Sequence, residues 1–305
     1  MDATAASAKI NLFLEVAGRR PDGYHDLVTV MAETSLCDHL SLEALPAQDG
    51  GPPRDSLVLE GWPQAAPGLP EPQGADNLAL RALDGWRRYL GPLPPVQVHL
   101  RKIIPVGAGL GGGSSDAAAV LRWAGGGRAD SAIRALAATL GADVPFFLRG
   151  GWQLAEGMGE RLSPLAPPKG DIWRIRLYVP PWRISTAQAF RALDSGAGGG
   201  PARDAAPLLR ALETGDRDVA GVASFNRFEY ALGGLEPRQA GFMESIRRLG
   251  GRPARLSGSG SAVWCWADGP PDAAQAEDED WRGRLARAGW PGARVISAAL
   301  RGGDH

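Results

Sequence analysis

Three features of this 305-residue sequence could do chemistry: a glycine-rich run and two lysines. The run is PVGAGLGGGSSD, residues 105 to 116, with glycine at 107, 109, 111, 112 and 113. Glycine loses more backbone freedom on ordering than any other residue, so such a run between structured elements needs a reason. One reason is close approach. Successive N–H groups can turn toward a single anion, and the positive end of a helix that follows adds to them. Ser114 and Ser115 can donate hydroxyls to phosphate or lend an oxygen to Mg²⁺. The lysines are Lys9, Lys102 and Lys169, set against thirty arginines. Lys9 and Lys102 stand beside the most distinctive stretches, where a compact ammonium does what a planar guanidinium does not. Asp143, in GADVP, is a carboxylate at a turn before Pro145; on its residues alone it reads as a cap or turn residue.

Two common readings of the glycine run fail on its surroundings. Gly107, Gly109 and Gly112 satisfy G-x-G-x-x-G, but a dinucleotide fold needs a second parallel strand after the helix, ending in Asp or Glu. Here the helix runs into GGGRAD and another helix. A Walker loop needs a lysine after its last glycine, and Gly113 stands there. A slack linker would carry polar, solubilising residues and would not sit between a patterned strand and helix. A backbone cradle for phosphate remains.

The surrounding pattern says what must hold these residues. Alternating apolar positions predict strands over 9–18, 25–34, 38–45, 56–60 and 96–100, with the turn RRPDGY between the first two. Helical spacing predicts helices over 76–90, with Asp76 as N-cap, 114–124 and 131–140. Residues 141–157 read as a turn and then a strand. Beyond a Pro-rich connection at 163–170, the pattern predicts a strand over 173–180 and a helix over 185–193, then a flexible loop at 196–204. Helices follow over 204–213, 219–232 and 237–249. A strand–glycine turn–strand covers 254–267, and a helix over 271–288 precedes a strand over 293–300. Residues 46–76, rich in Pro and Gly, read as loop apart from the strand. Strands mixed with helices without strict alternation indicate an α+β protein. The length suits two domains, set at 1–158 and 159–305.

Composition narrows the function classes. A hydrophobic content of 44% with 22% charged residues is ordinary for a soluble protein, and a net charge of −1 gives no attraction for nucleic acid or acidic membrane. No apolar run reaches the length of a membrane span, and the N-terminal stretch lacks the features of a secretory signal. The cytoplasm is the expected compartment. Cys37 and Cys265 stand alone, without metal-ligand spacing, and read as buried structural thiols.

PVGAGLGGGSSDAA resembles the nucleotide signature of the GHMP small-molecule kinases. AKINLFL (8–14), GRRPDGYHDL (18–27), LGADVPFFL (140–148) and LSGSGSAVW (256–264) are similar to further motifs of one branch of that family, in the family's order. Ser7 departs from it, standing where that branch carries proline. The resemblance implies a two-domain fold, with an N-terminal half like the second domain of ribosomal protein S5 and a ferredoxin-like C-terminal half. The active site would lie between them. It implies ATP as phosphoryl donor, with Mg²⁺ held mainly through the ATP phosphates and not by a protein metal site. The acceptor implied is the 2-hydroxyl of 4-diphosphocytidyl-2-C-methyl-D-erythritol.

The same resemblance implies the roles. Asp143 is the general base, and Lys9 stands beside it and stabilises the developing alkoxide. Asn77, Lys102 and the run Pro105, Val106, Gly107, Ala108, Gly109, Leu110, Gly111, Gly112, Gly113, Ser114 and Ser115 hold the nucleotide. Tyr24 and Phe190 sandwich the cytosine, His25 reads its edge, and Asn11, Thr186 and Asp143 contribute to substrate binding. Ser257 to Ser261 close around the reacting centre. No nucleic-acid or membrane partner is expected, and the chain is expected to be a monomer or weak homodimer.

Overall fold

The computed structural model describes residues 2–46, 54–61, 76–197, 199–269 and 274–302. Two sheets organise it. In the first, strand β1 (Asp2–Arg19) lies antiparallel to β2 (His25–Ala44). β2 is long enough to serve two partners on its other edge: residues 27–32 pair with β5 (Trp152–Gly157) and residues 39–44 with β4 (Val96–Arg101). β3 (Ser56–Glu60) adds parallel to β4, and β6 (Arg161–Leu165) adds to β5. The two-residue β8 (Phe225–Asn226) lies parallel to β1, giving seven strands. The second sheet is antiparallel, in the order β11 (Arg294–Ala299), β7 (Arg174–Val179), β10 (Val263–Trp266), β9 (Arg255–Leu256).

The pairing of β1 and β2 is irregular where the chemistry lies. Ser7 pairs with Cys37 but Lys9 pairs with Glu33, so Thr34, Ser35 and Leu36 bulge out of β2. A second shift between Asn11 and Phe13 leaves Leu12 as the extra residue of β1. Bulges re-aim the side chains next to them, and these two bracket Lys9 and Asn11. The first also explains why residues 25–45 read as two strands: the alternation breaks at 34–36, while the chain continues as one.

Helices α1 (Leu78–Tyr89), α2 (Gly112–Ala124), α3 (Ser131–Leu140) and α4 (Val144–Arg149) pack on the first sheet around Leu83, Val98, Val120 and Phe146, all fully buried. α4 corrects the expectation of turn then strand over 141–157. A short apolar run such as VPFFL does not reveal its period; Pro145 sits in its first turn, where a missing N–H costs nothing. Asp76 is not the N-cap of α1. The helix starts one residue later, and the Asn77 side chain accepts from the Ala79 N–H at 2.9 Å.

The second sheet carries α5 (Thr186–Ala192), α6 (Ala206–Thr214), α7 (Arg217–Ala223), the single turn α8 (Leu232–Leu235), α9 (Pro237–Gly250) and α10 (Ala274–Arg287). The expected helix over 219–232 is broken. α7 ends at Ala223, β8 follows Ser224, and a 3₁₀ turn over Arg227–Ala231 leads to α8. Asn226 forces the break: its amide donates to the Leu256 and Gly258 carbonyls and its oxygen caps Phe228. Residues 47–53, 62–75, 198 and 270–273, which take in most of the expected 46–76 loop and parts of the 196–204 loop and the last helix, lie outside the described residues.

One core spans both sheets. Ala8, Ile10 and Leu12 of β1 pack with Ile175, Leu177, Trp264 and Trp266. Trp152, Trp173, Trp266 and Trp264 meet edge to face in series, with centroids 6.0, 5.1 and 5.0 Å apart. Such contacts add about 0.5–1.5 kcal/mol each beyond area burial. The Trp264 indole N–H donates to the Asn11 carbonyl at 3.0 Å, so this junction fixes the strand that bears Lys9.

Candidate active site

The glycine run is a shaped loop. Gly107, Gly109 and Gly111 have φ of 75°, 80° and 76°, a region that side-chain-bearing residues rarely enter, and the residues between them do not share it. That alternation turns N–H groups to one side, as in an anion-binding nest. Space is as strict as conformation: a Cβ on Gly109 would lie 2.2 Å from the Ser257 carbonyl oxygen. Gly111 caps α2 without a side chain, so the first N–H groups of this thirteen-residue helix keep their positive end toward the cavity.

Two other stretches are stitched to the loop, by two backbone bonds and one hydroxyl. The Lys9 N–H donates to Leu110 O and the Ala262 N–H to Ala108 O, both at 3.0 Å. The Ser257 hydroxyl donates to Gly109 O at 2.9 Å. A cavity of about 350 Å³ is lined by Asn77, Lys102, every residue from Pro105 to Ser114, and Asp116. Of the residues expected at the nucleotide, only Ser115 is missing from its wall; it is buried within α2.

At the mouth of the loop Lys9 Nζ stands 3.6 Å from Asp143 Oδ2. The Lys9 side chain is 4% exposed and that of Asp143 37%. Asp143 immediately precedes α4 yet makes no capping bond with its side chain, so its carboxylate is not consumed by the helix. Lys9 Nζ also donates to Asn11 Oδ1 at 2.7 Å. That oxygen accepts the Gly258 N–H at 2.7 Å as well, while the Asn11 amide donates to Thr29 at 2.8 Å. Asn11, expected to contact substrate, is here committed to positioning Lys9 and the 257–261 turn. Thr186, also expected at the substrate, pairs with Ser259 of that turn at 2.9 Å.

Lys102 lines the cavity but does not present a free ammonium to it. It is clamped between Asp38 and Asp116, the latter at 2.6 Å, and all three are buried. Asp38 also accepts the Ile103 and Ile104 N–H groups, which fixes the approach to the loop. Burial pulls the lysine down, but the two carboxylates outweigh it and hold Lys102 above its ordinary value. Burial pushes Asp116 up to about 7, helped by Asp38 and opposed by Lys102. Asp116 Oδ1 is buried without a hydrogen-bond partner among the described residues. Sequence reasoning missed Asp38 and Asp116. The first signals nothing locally, and the second sits in the glycine signature itself, as its one acidic residue.

A second cluster lies toward the C-terminal half. The turn 20–24 is set by Asp22, which accepts the Tyr24 N–H at 3.1 Å and pairs with Arg20; the Tyr24 N–H and Arg20 hold its carboxyl below the ordinary range. This leaves Tyr24 63% exposed and starts β2 at His25. The ring against Phe190 is that of His25, stacked at 4.7 Å and 22°, and not that of Tyr24. The expectation for Tyr24 and Phe190 is a cytosine held between them, not a contact between the two rings. His25 Nε2 bonds Asp194 Oδ1 at 2.7 Å, and Asp194 was not anticipated.

The arrangement suits phosphoryl transfer to an alcohol: an anion cradle, a carboxylate with a buried ammonium beside it, and an aromatic cluster for a second ligand. Among the described residues no three His, Cys, Asp or Glu side chains converge to hold a metal ion. Ser114 on the cavity wall and the unpartnered Asp116 oxygen fit a cation carried in by phosphate rather than one held by the protein alone.

Comparison with known proteins agrees. The family model for the GHMP kinases N terminal domain matches residues 77–151. The 4-diphosphocytidyl-2-C-methyl-D-erythritol kinase of Symbiobacterium thermophilum is 40% identical over 260 residues, covering 84% of this chain and 87% of that protein. The enzyme of that name from Thermus thermophilus is 38% identical over 301 residues, covering 98% and 96%. A crystal structure of 4-(cytidine 5'-diphospho)-2C-methyl-D-erythritol kinase superposes with a TM-score of 0.76 at 37% identity, covering 99% of this chain and all of that one.

Proposed function

Because the chain belongs to the GHMP kinases, in the branch of the 4-diphosphocytidyl-2-C-methyl-D-erythritol kinases, we propose that it moves the γ-phosphoryl group of ATP to the 2-hydroxyl of that substrate. The products are the 2-phosphate and ADP, at one step of the non-mevalonate route to isoprenoid precursors. The observation that carries this reading is the Lys9–Asp143 pair at 3.6 Å, with Lys9 on a strand that its N–H ties to the glycine loop.

The loop N–H groups and the start of α2 hold the ATP phosphates and offset their charge. Asp143 takes the proton of the attacking hydroxyl, and Lys9 lies close enough to stabilise the oxygen as it loses that proton. Asn11 and Gly258 keep Lys9 from swinging away. Most of the catalysis is positioning and electrostatics, as phosphoryl transfer requires. Mg²⁺, bound through the phosphates with Ser114 nearby, would supply further charge neutralisation there. Tyr24, His25 and Phe190 receive the cytosine. The division at 158/159 belongs to the same proposal, the family match at 77–151 falling within its first unit.

Incubation with ATP and the cytidyl substrate, followed by ³¹P NMR, tests the reaction. A new phosphomonoester on the erythritol carbon bearing the 2-hydroxyl, formed in step with ADP, is expected. ADP without that resonance would overturn the proposal.

A further inference from the structure

His25 and Asp194 lie 169 residues apart and bring the two halves of the chain together beside a cavity of about 280 Å³. Asp194 sits in the turn Leu193–Ala197, directly after α5. Leu193 packs against the core of the second half, and the Ser195 hydroxyl donates to the Ala192 carbonyl at 2.8 Å. The carboxylate is thus held by its chain as well as by its partners. Its second oxygen lies 3.9 Å from Arg19 Nε. The His25 side chain is 10% exposed, and its ring is pinned flat on Phe190, which itself packs edge-on to Phe228 at 5.0 Å.

An ionised carboxylate only accepts hydrogen bonds, so the ring nitrogen that meets it must carry the proton. At 2.7 Å that nitrogen is Nε2. Which nitrogen of a histidine is protonated is set by the bond the other makes. Nδ1 is then the second nitrogen, and it has no hydrogen-bond partner among the described residues. Glu15 and Arg227, which also line the cavity, are spent on each other at 2.6 Å.

We propose that Asp194 is a positioning residue that decides which pyrimidine this site accepts. In the neutral imidazole, fixing the one proton on Nε2 leaves Nδ1 as a lone-pair acceptor. An acceptor there welcomes the exocyclic amino group of cytosine and meets the O4 carbonyl of uracil lone pair to lone pair. The inference rests on the cytidyl substrate proposed above, and it adds that base choice is made by a carboxylate that need not touch the base.

Long-range ¹⁵N–¹H NMR of the four histidines at pH 8, with His25 assigned by its loss in His25→Gln, tests the tautomer without substrate. In the wild-type chain His25 should show a protonated Nε2 and an unprotonated Nδ1, and Asp194→Ala should lose that fixed pattern. A protonated Nδ1 in the wild type, or the same pattern in Asp194→Ala, overturns the proposal. The second arm compares kcat/KM for the cytidyl substrate and its uridyl analogue. Asp194→Ala should lower the preference at least about tenfold through KM, with the KM for ATP unchanged and Asp194→Glu restoring most of it. An unchanged preference overturns the proposal. A wild-type chain that phosphorylates neither compound contradicts the substrate reading, and the NMR result then still decides the role of Asp194.

Discussion

The Lys9 ammonium stands 3.6 Å from the Asp143 carboxylate, the first buried and the second open to the cleft. The ammonium is held by the Asn11 oxygen and the carboxylate is left uncapped at the start of α4. Asp143→Asn keeps the shape and removes the proton acceptor. It should lower kcat by about 10²–10⁴-fold, the usual worth of a general base, while the dissociation constant for ATP stays unchanged. Lys9→Met should lower kcat as well, and the double variant should fall by much less than the product of the two losses, because the residues act as a unit. Steady-state rates with ATP titrations check this; near-wild-type turnover in Asp143→Asn would remove it as base.

Gly109→Ala should damage both the fold of the loop and ATP binding. A Cβ there would meet Ser257 O at 2.2 Å, at a φ of 80°. Gly126→Ala is the control: its φ is 59°, but no atom of the described residues would lie within 4 Å of its Cβ. Backbone strain alone is worth about 1–3 kcal/mol. The control should lose roughly that and keep its ATP affinity, whereas Gly109→Ala should lose more and bind ATP at least tenfold more weakly. Thermal unfolding and ATP titration of both variants decide it; equal effects would mean that close approach to Ser257 does not matter.

The glycines were legible because positive φ and backbone contact demand glycine, and the demand is written residue by residue. Lys9 and Asp143 were legible only through the resemblance of their motifs to a family, since Asp143 by itself reads as a turn residue. What escaped was held by non-local burial. Asp38 becomes a ligand of Lys102 only when β2 is laid beside β4, and Asp194 meets His25 only across the junction of the two halves. The same cause hid the break after Ser224, where Asn226 answers to carbonyls thirty residues away. The second half of β2 looked separate because the bulge at 34–36 interrupts its alternation.

The Asp38–Lys102–Asp116 cluster predicts a pH dependence of stability. Between the ordinary carboxylate value of 3.8 and about 7, the folded chain keeps a proton at Asp116 that the unfolded chain has released. Stability contributed there is present at low pH and falls as pH rises through that window, with a slope of at most about 1.4 kcal/mol per pH unit for one proton. Lys102 acts elsewhere: its raised value adds stability below 10.5 that is lost only at higher pH. Asp116→Asn should therefore be more favourable relative to wild type at pH 7.5 than at pH 5. Urea unfolding at the two pH values checks this; an equal difference at both would contradict it.

Tyr24 is 63% exposed and its ring stacks on no other aromatic ring among the described residues, so Tyr24→Ala should leave the unfolding free energy within about 0.5 kcal/mol of wild type. It should nevertheless raise the KM for the cytidyl substrate, because a base laid on the aromatic cluster loses one face. The KM for ATP should not move. Separate substrate titrations check both, and an unchanged KM for the cytidyl substrate would end the stacking role of Tyr24.

The central claim is the identity of the acceptor. ATP-dependent kcat/KM measured for 4-diphosphocytidyl-2-C-methyl-D-erythritol, homoserine, mevalonate and galactose tests it most directly. A site that stacks and hydrogen-bonds a nucleobase should favour the cytidyl compound over the other three by at least about 10³-fold. Phosphorylation of homoserine, mevalonate or galactose with comparable efficiency, or none of the cytidyl compound, would contradict the account.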